Sequence, residues 1–130
     1  MNAAVQQAVE EIRSAYPGRT MDVLPDDEGG AFIKVHDLLV GKQYQPECSW
    51  VAFRITFQYP FADVYPHFCV ANLARKDGRA LGVGFSQSIW KSPAGDEAGT
   101  MISRRSNQLN AATDTAALKL AKVLDWMKNQ

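Results

Sequence analysis

The sequence contains no long hydrophobic run. No stretch approaches the roughly 20 apolar residues that a membrane-spanning helix needs. Residues 1–12 mix Gln and Glu with Ala and Val, so they also lack the basic start and the continuous apolar core of a secretory signal peptide. These absences predict that the protein has no membrane partner and is cytoplasmic.

The sequence also lacks a net charge. Its 14 Lys and Arg residues balance 14 Asp and Glu residues, which gives a formal charge of zero. A nucleic-acid-binding protein gains most of its affinity by neutralising phosphates and therefore carries an excess of basic residues. We therefore expect no nucleic-acid partner. The adjacent residues Arg104 and Arg105 are the one candidate for a local basic patch.

Cysteine and histidine are scarce, with two residues of each type. Cys48 and Cys69 are 21 positions apart, and in a cytoplasmic protein we expect two reduced thiols, with a single disulfide as the alternative. Together with His36 and His67, they do not show the spacing of a zinc site. The sequence therefore predicts neither a metal nor a cofactor.

The composition is that of one globular domain spanning residues 1–130, with 46% hydrophobic and 22% charged residues. Apolar residues at helical spacing predict a first helix over 3–16 and a last helix over 113–128, with Thr113 as its N-cap. Alternating apolar and polar residues predict strands between them, over 21–24, 31–40, 50–58 and 67–73.

The remaining residues show weaker patterns. Asp77-Gly78 indicates a tight turn, residues 80–85 fit a weak strand or an extended segment, and residues 86–112 have no clear periodicity. We therefore predict an α+β fold: an N-terminal helix, a four-stranded antiparallel meander, a long irregular segment, and a C-terminal helix packed on one sheet face. Exposed edges of such a small sheet would permit self-association.

Two motifs carry a family resemblance. Residues 59–66 read Tyr-Pro-Phe-Ala-Asp-Val-Tyr-Pro between two predicted strands, and residues 89–93 read Ile-Trp-Lys-Ser-Pro. With the predicted order of elements, they resemble the ubiquitin-conjugating enzymes and their relatives, which include catalytically inactive variants and RWD domains. The resemblance implies a helix, a four-stranded meander, a long active-site segment and a helix behind the sheet.

The chain departs from this family at the active site. The family's nucleophilic cysteine would fall near residues 81–83, which read Leu-Gly-Val, and the family's His-Pro-Asn is replaced by Ala-Asn-Leu at 71–73. Thioester transfer needs a thiolate at that place. The resemblance therefore implies the fold without the standard activity.

Residues 103–110 resemble divergent bacterial members found in ubiquitin-like conjugation operons. This resemblance implies a role in protein recognition within a bacterial ubiquitin-like conjugation or antiphage defence system. The implied partner is a ubiquitin-like protein or an activating enzyme. Aromatic and Arg residues dominate interface energetics, so the candidate partner-binding residues are Trp90, Arg104 and Arg105. For Trp90, a place in the core is the competing interpretation.

Two alternatives remain from the residues themselves. The chain is either a conjugating enzyme that uses a relocated cysteine, Cys48 or Cys69, or a small α+β subunit of an unrelated system. His67 is a candidate general base if Ser86 or Ser88 folds back towards it. Otherwise we expect His67 to be a partly exposed residue at a strand start, and Cys69 to be a buried structural thiol.

Overall fold

The computed structural model describes all residues, 1–130, and has an α+β fold. Its two helices are α1 (Ala3–Ala15) and α2 (Ala116–Lys128). Between them lie eight strands: β1 (Met21–Pro25), β2 (Ala31–Leu39), β3 (Tyr44–Gln45), β4 (Cys48–Ile55), β5 (His67–Val70), β6 (Ala74–Arg75), β7 (Phe85–Ser92) and β8 (Gly95–Ile102).

The first helix forms as the sequence predicts. The side chain of Asn2 accepts a hydrogen bond from the backbone N–H of Val5 at 2.9 Å, which satisfies one of the free donors at the helix start. The buried stripe recurs every three or four residues, as an amphipathic helix requires, and it consists of Val5, Ala8, Val9 and Ile12.

The last helix begins three residues later than predicted. Asp114 accepts a hydrogen bond from the N–H of Asn110 at 2.8 Å and donates its own N–H to the carbonyl of Asn110, so it closes a turn before the helix. Thr115, not Thr113, is the N-cap, and it accepts from the N–H of Leu118 at 3.1 Å. The hydroxyl of Tyr59 accepts from the N–H of Ala116 at 3.1 Å and fixes the helix start against the 59–66 turn.

The main sheet has six strands in the order β1-β2-β4-β5-β8-β7, and every neighbouring pair is antiparallel. Short strands β3 and β6 form a separate pair. Both helices pack on one face of the sheet, where alternate strand residues such as Ile33, Phe53, Cys69 and Ile102 join the helices in one core of 23 buried residues.

The prediction that residues 86–112 form an irregular segment is wrong for the first half of that segment. It contains the β7–β8 hairpin, which extends the sheet from four strands to six. Apart from the hairpin turn at 93–94, only residues 103–112 of this segment lack a helix or strand, and the irregular chain continues to residue 115. The hairpin escaped prediction because much of it is exposed on both faces, so its residues do not alternate between apolar and polar. Conversely, residues 80–84 form no strand, and the turn at Asp77-Gly78 does not join paired strands.

The outer half of the hairpin bends over the sheet face that the helices leave open. Strand β5 pairs with β8 only from Gly99 onwards, and residues 95–98 pair with β7 alone. Three strands separate β2 from β7, which in a flat sheet places their backbones about 19 Å apart. The ring centroids of Phe32 on β2 and Trp90 on β7 nevertheless lie only 6.0 Å apart, which two aromatic side chains could not achieve across a flat sheet. A Cβ at Gly99 would lie 3.0 Å from the carbonyl oxygen of Cys69, so the lack of a side chain there permits the close crossing.

No helix of the structure combines the length and the apolar character needed to cross a membrane.

Candidate functional site

The two thiols stand in very different environments. Cys69 is fully buried among core residues, and burial raises the pKa of its thiol to about 12. It is therefore a protonated structural thiol at neutral pH, as predicted from its place in a strand. Cys48 is exposed at the start of β4. Residues 81–83, where the family's nucleophile would fall, contain no cysteine, and Val83 is 98% exposed.

His67 is fully buried, which corrects the expectation of a partly exposed histidine. It opens β5 with its side chain on the helix-covered face, and its ring centroid lies 5.0 Å from that of Phe53. Neither ring nitrogen has a hydrogen-bond partner, so neither Ser86 nor Ser88 reaches it. Burial, reinforced by the charge of Lys119, lowers its pKa to about 3 and keeps the ring neutral.

The three candidate partner-binding residues are not brought together. Trp90 lies on the open face of the sheet and is only 6% exposed, packed between Phe32 and Phe68 with ring-centroid distances of 6.0 and 5.3 Å. Arg104 and Arg105 follow β8 and turn towards the helix-covered side. The structure thus offers two separate surfaces, one aromatic and one basic.

The aromatic surface, which we call the aromatic face, is a small second core on the open side of the sheet. It consists of Phe32, Trp50, Ala52, Phe68, Trp90 and Met101. Cations cover its rim, with Lys34 over the ring of Trp50 and Arg54 over that of Phe32. Both cations are already paired with carboxylates, because Lys34 contacts Glu97 and Arg54 contacts Asp26 and Glu28. Neither of these two rim cations is therefore free to bind a ligand.

The basic surface, which we call the arginine pocket, is a recess of about 270 Å³ between loop 103–110 and α2. It is lined by Arg104, Arg105, Ser106, Asn107, Gln108, Asp114, Lys119, Lys122, Val123 and Trp126. Four of these side chains are cationic and one is anionic. Asp63 balances Lys119 from outside the lining, so two positive charges remain uncompensated.

A half-buried polar cluster fixes the floor of the arginine pocket. Asp63, from the 59–66 turn, accepts hydrogen bonds from the backbone N–H and the hydroxyl of Ser106 at 2.7 and 2.9 Å. The ammonium of Lys119, on α2, lies 3.2 Å from both Asp63 oxygens and 2.8 Å from the hydroxyl of Ser106. Burial raises the pKa of the Asp63 carboxyl, but these hydrogen bonds and the charge of Lys119 outweigh it and lower the pKa.

Two aromatic rings hold the arginines. The guanidinium carbon of Arg104 lies 4.7 Å from the ring centroid of Trp126, and that of Arg105 lies 4.2 Å from the ring of Tyr65. Neither guanidinium forms an ion pair within 4 Å, in contrast to Arg13, Arg54 and Arg75. Stacking restrains each guanidinium but leaves the N–H groups at its edge free to donate.

The sequence indicated both arginines as candidate binding residues, but it did not indicate the side chains that surround them. Tyr65, Ser106, Lys119 and Trp126 come from three distant parts of the chain, and no local pattern predicts their convergence. The only signal was the adjacency of two basic residues in a segment without periodicity. No group of three or more His, Cys, Asp or Glu side chains is placed to hold a metal ion.

Comparisons of this chain with protein-family models, with curated proteins and with solved structures find no match.

Proposed function

We propose that this protein is a non-catalytic recognition domain that holds an acidic segment of a protein partner in the arginine pocket. The observation that carries the proposal is that two consecutive arginines each have their guanidinium stacked on an aromatic ring and no carboxylate partner. The N–H groups at the edges of both guanidiniums donate to no acceptor within the protein. Carboxylates are the acceptors that a guanidinium binds in bidentate fashion.

The shape and charge of the pocket favour a side chain of a protein over a nucleic acid. Its volume of about 270 Å³ suits one or two carboxylate side chains, and it falls just short of the roughly 300–1,000 Å³ of small-molecule pockets. The chain is neutral overall, and Asp114 lines the same pocket. A polyphosphate backbone would meet too few cations to gain much affinity by counterion release.

The resemblance to the ubiquitin-conjugating enzymes suggests which class of protein supplies the acidic segment. Its support is the helix-sheet-helix order and the Tyr-Pro-Phe turn at 59–66. The absence of a cysteine near 81–83 supports an inactive member rather than an enzyme. On this proposal the domain is a divergent, inactive member of that superfamily. It would recognise a ubiquitin-like protein or its activating enzyme within a bacterial conjugation or defence system.

The test is a binding titration with a fluorescent hexaglutamate peptide as the probe. We expect the wild-type protein to bind it and Arg104→Gln/Arg105→Gln to lose binding at least about tenfold, because each charge-assisted hydrogen bond contributes about 1.5–3 kcal/mol. The matched control is Lys42→Gln/Arg79→Gln, which removes two exposed positive charges elsewhere.

Three results would contradict the proposal. They are equal losses in both double variants, equal binding of a hexalysine peptide, and no hexaglutamate binding by the wild type.

A further inference from the structure

The two edges of the main sheet differ in how well they are protected against pairing with another chain. Edge strand β1 has five residues, ends at Pro25 and carries Asp22. Edge strand β7 has eight residues in unbroken register with β8, contains no proline or bulge, and carries one charge, Lys91. Prolines, bulges and charges are the devices that block edge-to-edge pairing. Strand β7 is therefore the open edge of this sheet.

The hydrogen-bonding pattern shows which groups β7 presents to solvent. The carbonyl of Gly84 accepts from the N–H of Ser103 at 2.8 Å, so the even-numbered residues that follow bond to β8. The odd-numbered residues Gln87, Ile89 and Lys91 point their N–H and C=O groups away from the sheet. The N–H of Phe85 is already taken by the carbonyl of Gly82 at 3.3 Å.

We propose that β7 pairs with β7 of a second copy of this chain, antiparallel and about a two-fold axis at Ile89, to form a continuous sheet across a dimer. In this register Ile89 of one copy faces Ile89 of the other, and Gln87 of each copy faces Lys91 of the other. The outward N–H groups of these three residues therefore all donate to carbonyls of the other copy. The dimer would gain about six backbone hydrogen bonds, two for each facing pair.

Other registers are worse. An axis at Lys91 places two ammonium groups directly opposite each other, which is destabilising. An axis at Gln87 leaves Lys91 beyond the paired region and directs one end of each strand at Phe85, whose N–H is occupied. An axis at Ser88 or at Trp90 would also pair outward-pointing groups, but it sets each Ile89 opposite the polar side chain of Gln87 or Lys91 of the copy and so loses the apolar pair.

The exposed side chain at the proposed axis supports the same register. Ile89 is 50% exposed although it is a large apolar residue in the middle of a strand. Facing apolar pairs on neighbouring strands stabilise a sheet, and self-pairing would bury Ile89 against its own copy. This inference is independent of the arginine pocket, which lies beside α2 and takes no residue from β7.

The first test is the mass in solution, measured by sedimentation over a range of protein concentrations. We expect wild type to approach twice the 14.4 kDa chain mass as concentration rises and Ile89→Lys to stay at the single-chain mass, because it sets two ammonium groups against each other at the axis. The control Val83→Lys adds the same charge at an exposed site off the strand and should dimerise as wild type does. A monomeric wild type, or a dimeric Ile89→Lys, would overturn the proposal.

The second test fixes the register without destabilising the interface. In a Cys48→Ser background, Ile89→Cys should be joined to its copy by a short bismaleimide, because facing Cα atoms lie about 5.5 Å apart. Val83→Cys in the same background should stay uncrosslinked. Efficient crosslinking at position 83 with none at position 89 would place any dimer contact elsewhere and refute the β7 register.

Discussion

Mild acid should destabilise this protein through His67. The ring is fully buried, both nitrogens lack partners, and the pKa is about 3 in the folded protein against about 6.5 in an unfolded chain. Below pH 6.5 the unfolded chain binds a proton at His67 that the folded protein does not bind. The free energy of unfolding is therefore unaffected by this proton above pH 6.5. It decreases progressively as the pH falls from 6.5 towards 3.

The magnitude follows from that window. Each pH unit in it removes about 1.4 kcal/mol from the free energy of unfolding. Between neutral pH and about pH 4.5 the loss is on the order of 3 kcal/mol, from the two pH units below 6.5. Carboxylates such as Asp63, whose pKa is lowered in the fold, contribute stability that is lost only at still lower pH.

The assay is urea unfolding of wild type and His67→Leu at both pH values. Leucine fills much of the space of the imidazole and cannot bind a proton, so the free energy of unfolding of His67→Leu should fall by about 3 kcal/mol less than that of wild type on acidification. The control is His36→Gln, which removes the half-exposed histidine beside Asp22 and keeps His67, so the acid loss that His67 causes should remain. Equal losses in wild type and His67→Leu would refute the reasoning.

Three further predictions concern the polar cluster, the aromatic face and the thiols. Asp63→Asn leaves the ammonium of Lys119 without a counter-charge, so it should lower the free energy of unfolding in urea by about 2–4 kcal/mol. Trp90→Ala should cost about 3–5 kcal/mol in the same urea assay, since Trp90 fills the aromatic face, yet leave hexaglutamate affinity unchanged. Mixed with a ubiquitin-like protein, its activating enzyme and ATP, the chain should form no reducible adduct on a gel, and an adduct lost in Cys48→Ser or Cys69→Ser would show an active enzyme instead.

Regular amphipathic patterns made much of the fold predictable. Strands β2 and β4 and both helices each have one buried and one exposed side. Such an element needs apolar residues at the period of its buried side, so the pattern is visible in the sequence. The pattern of the β7–β8 hairpin is weak because the hairpin is exposed on both faces over much of its length, and its outer half is anchored mainly by Trp90.

The candidate site was predictable only as a pair of residues. Arg104 and Arg105 are adjacent in the sequence, but their function depends on what holds them, and Tyr65 and Trp126 lie tens of residues away in either direction. The buried state of His67 was hidden for a similar reason, because the strand that covers its edge, β8, was not foreseen. Long-range contacts of this kind leave no local periodicity.

The most direct test of the proposed recognition role is a titration of isotope-labelled protein with hexaglutamate peptide, followed by amide and indole NMR shifts. The proposal predicts that shifts concentrate in loop 103–110 and at the indole of Trp126, and that they vanish in Arg104→Gln/Arg105→Gln. Shifts confined to Trp50 and Trp90 on the aromatic face, or no shifts at all, would contradict it.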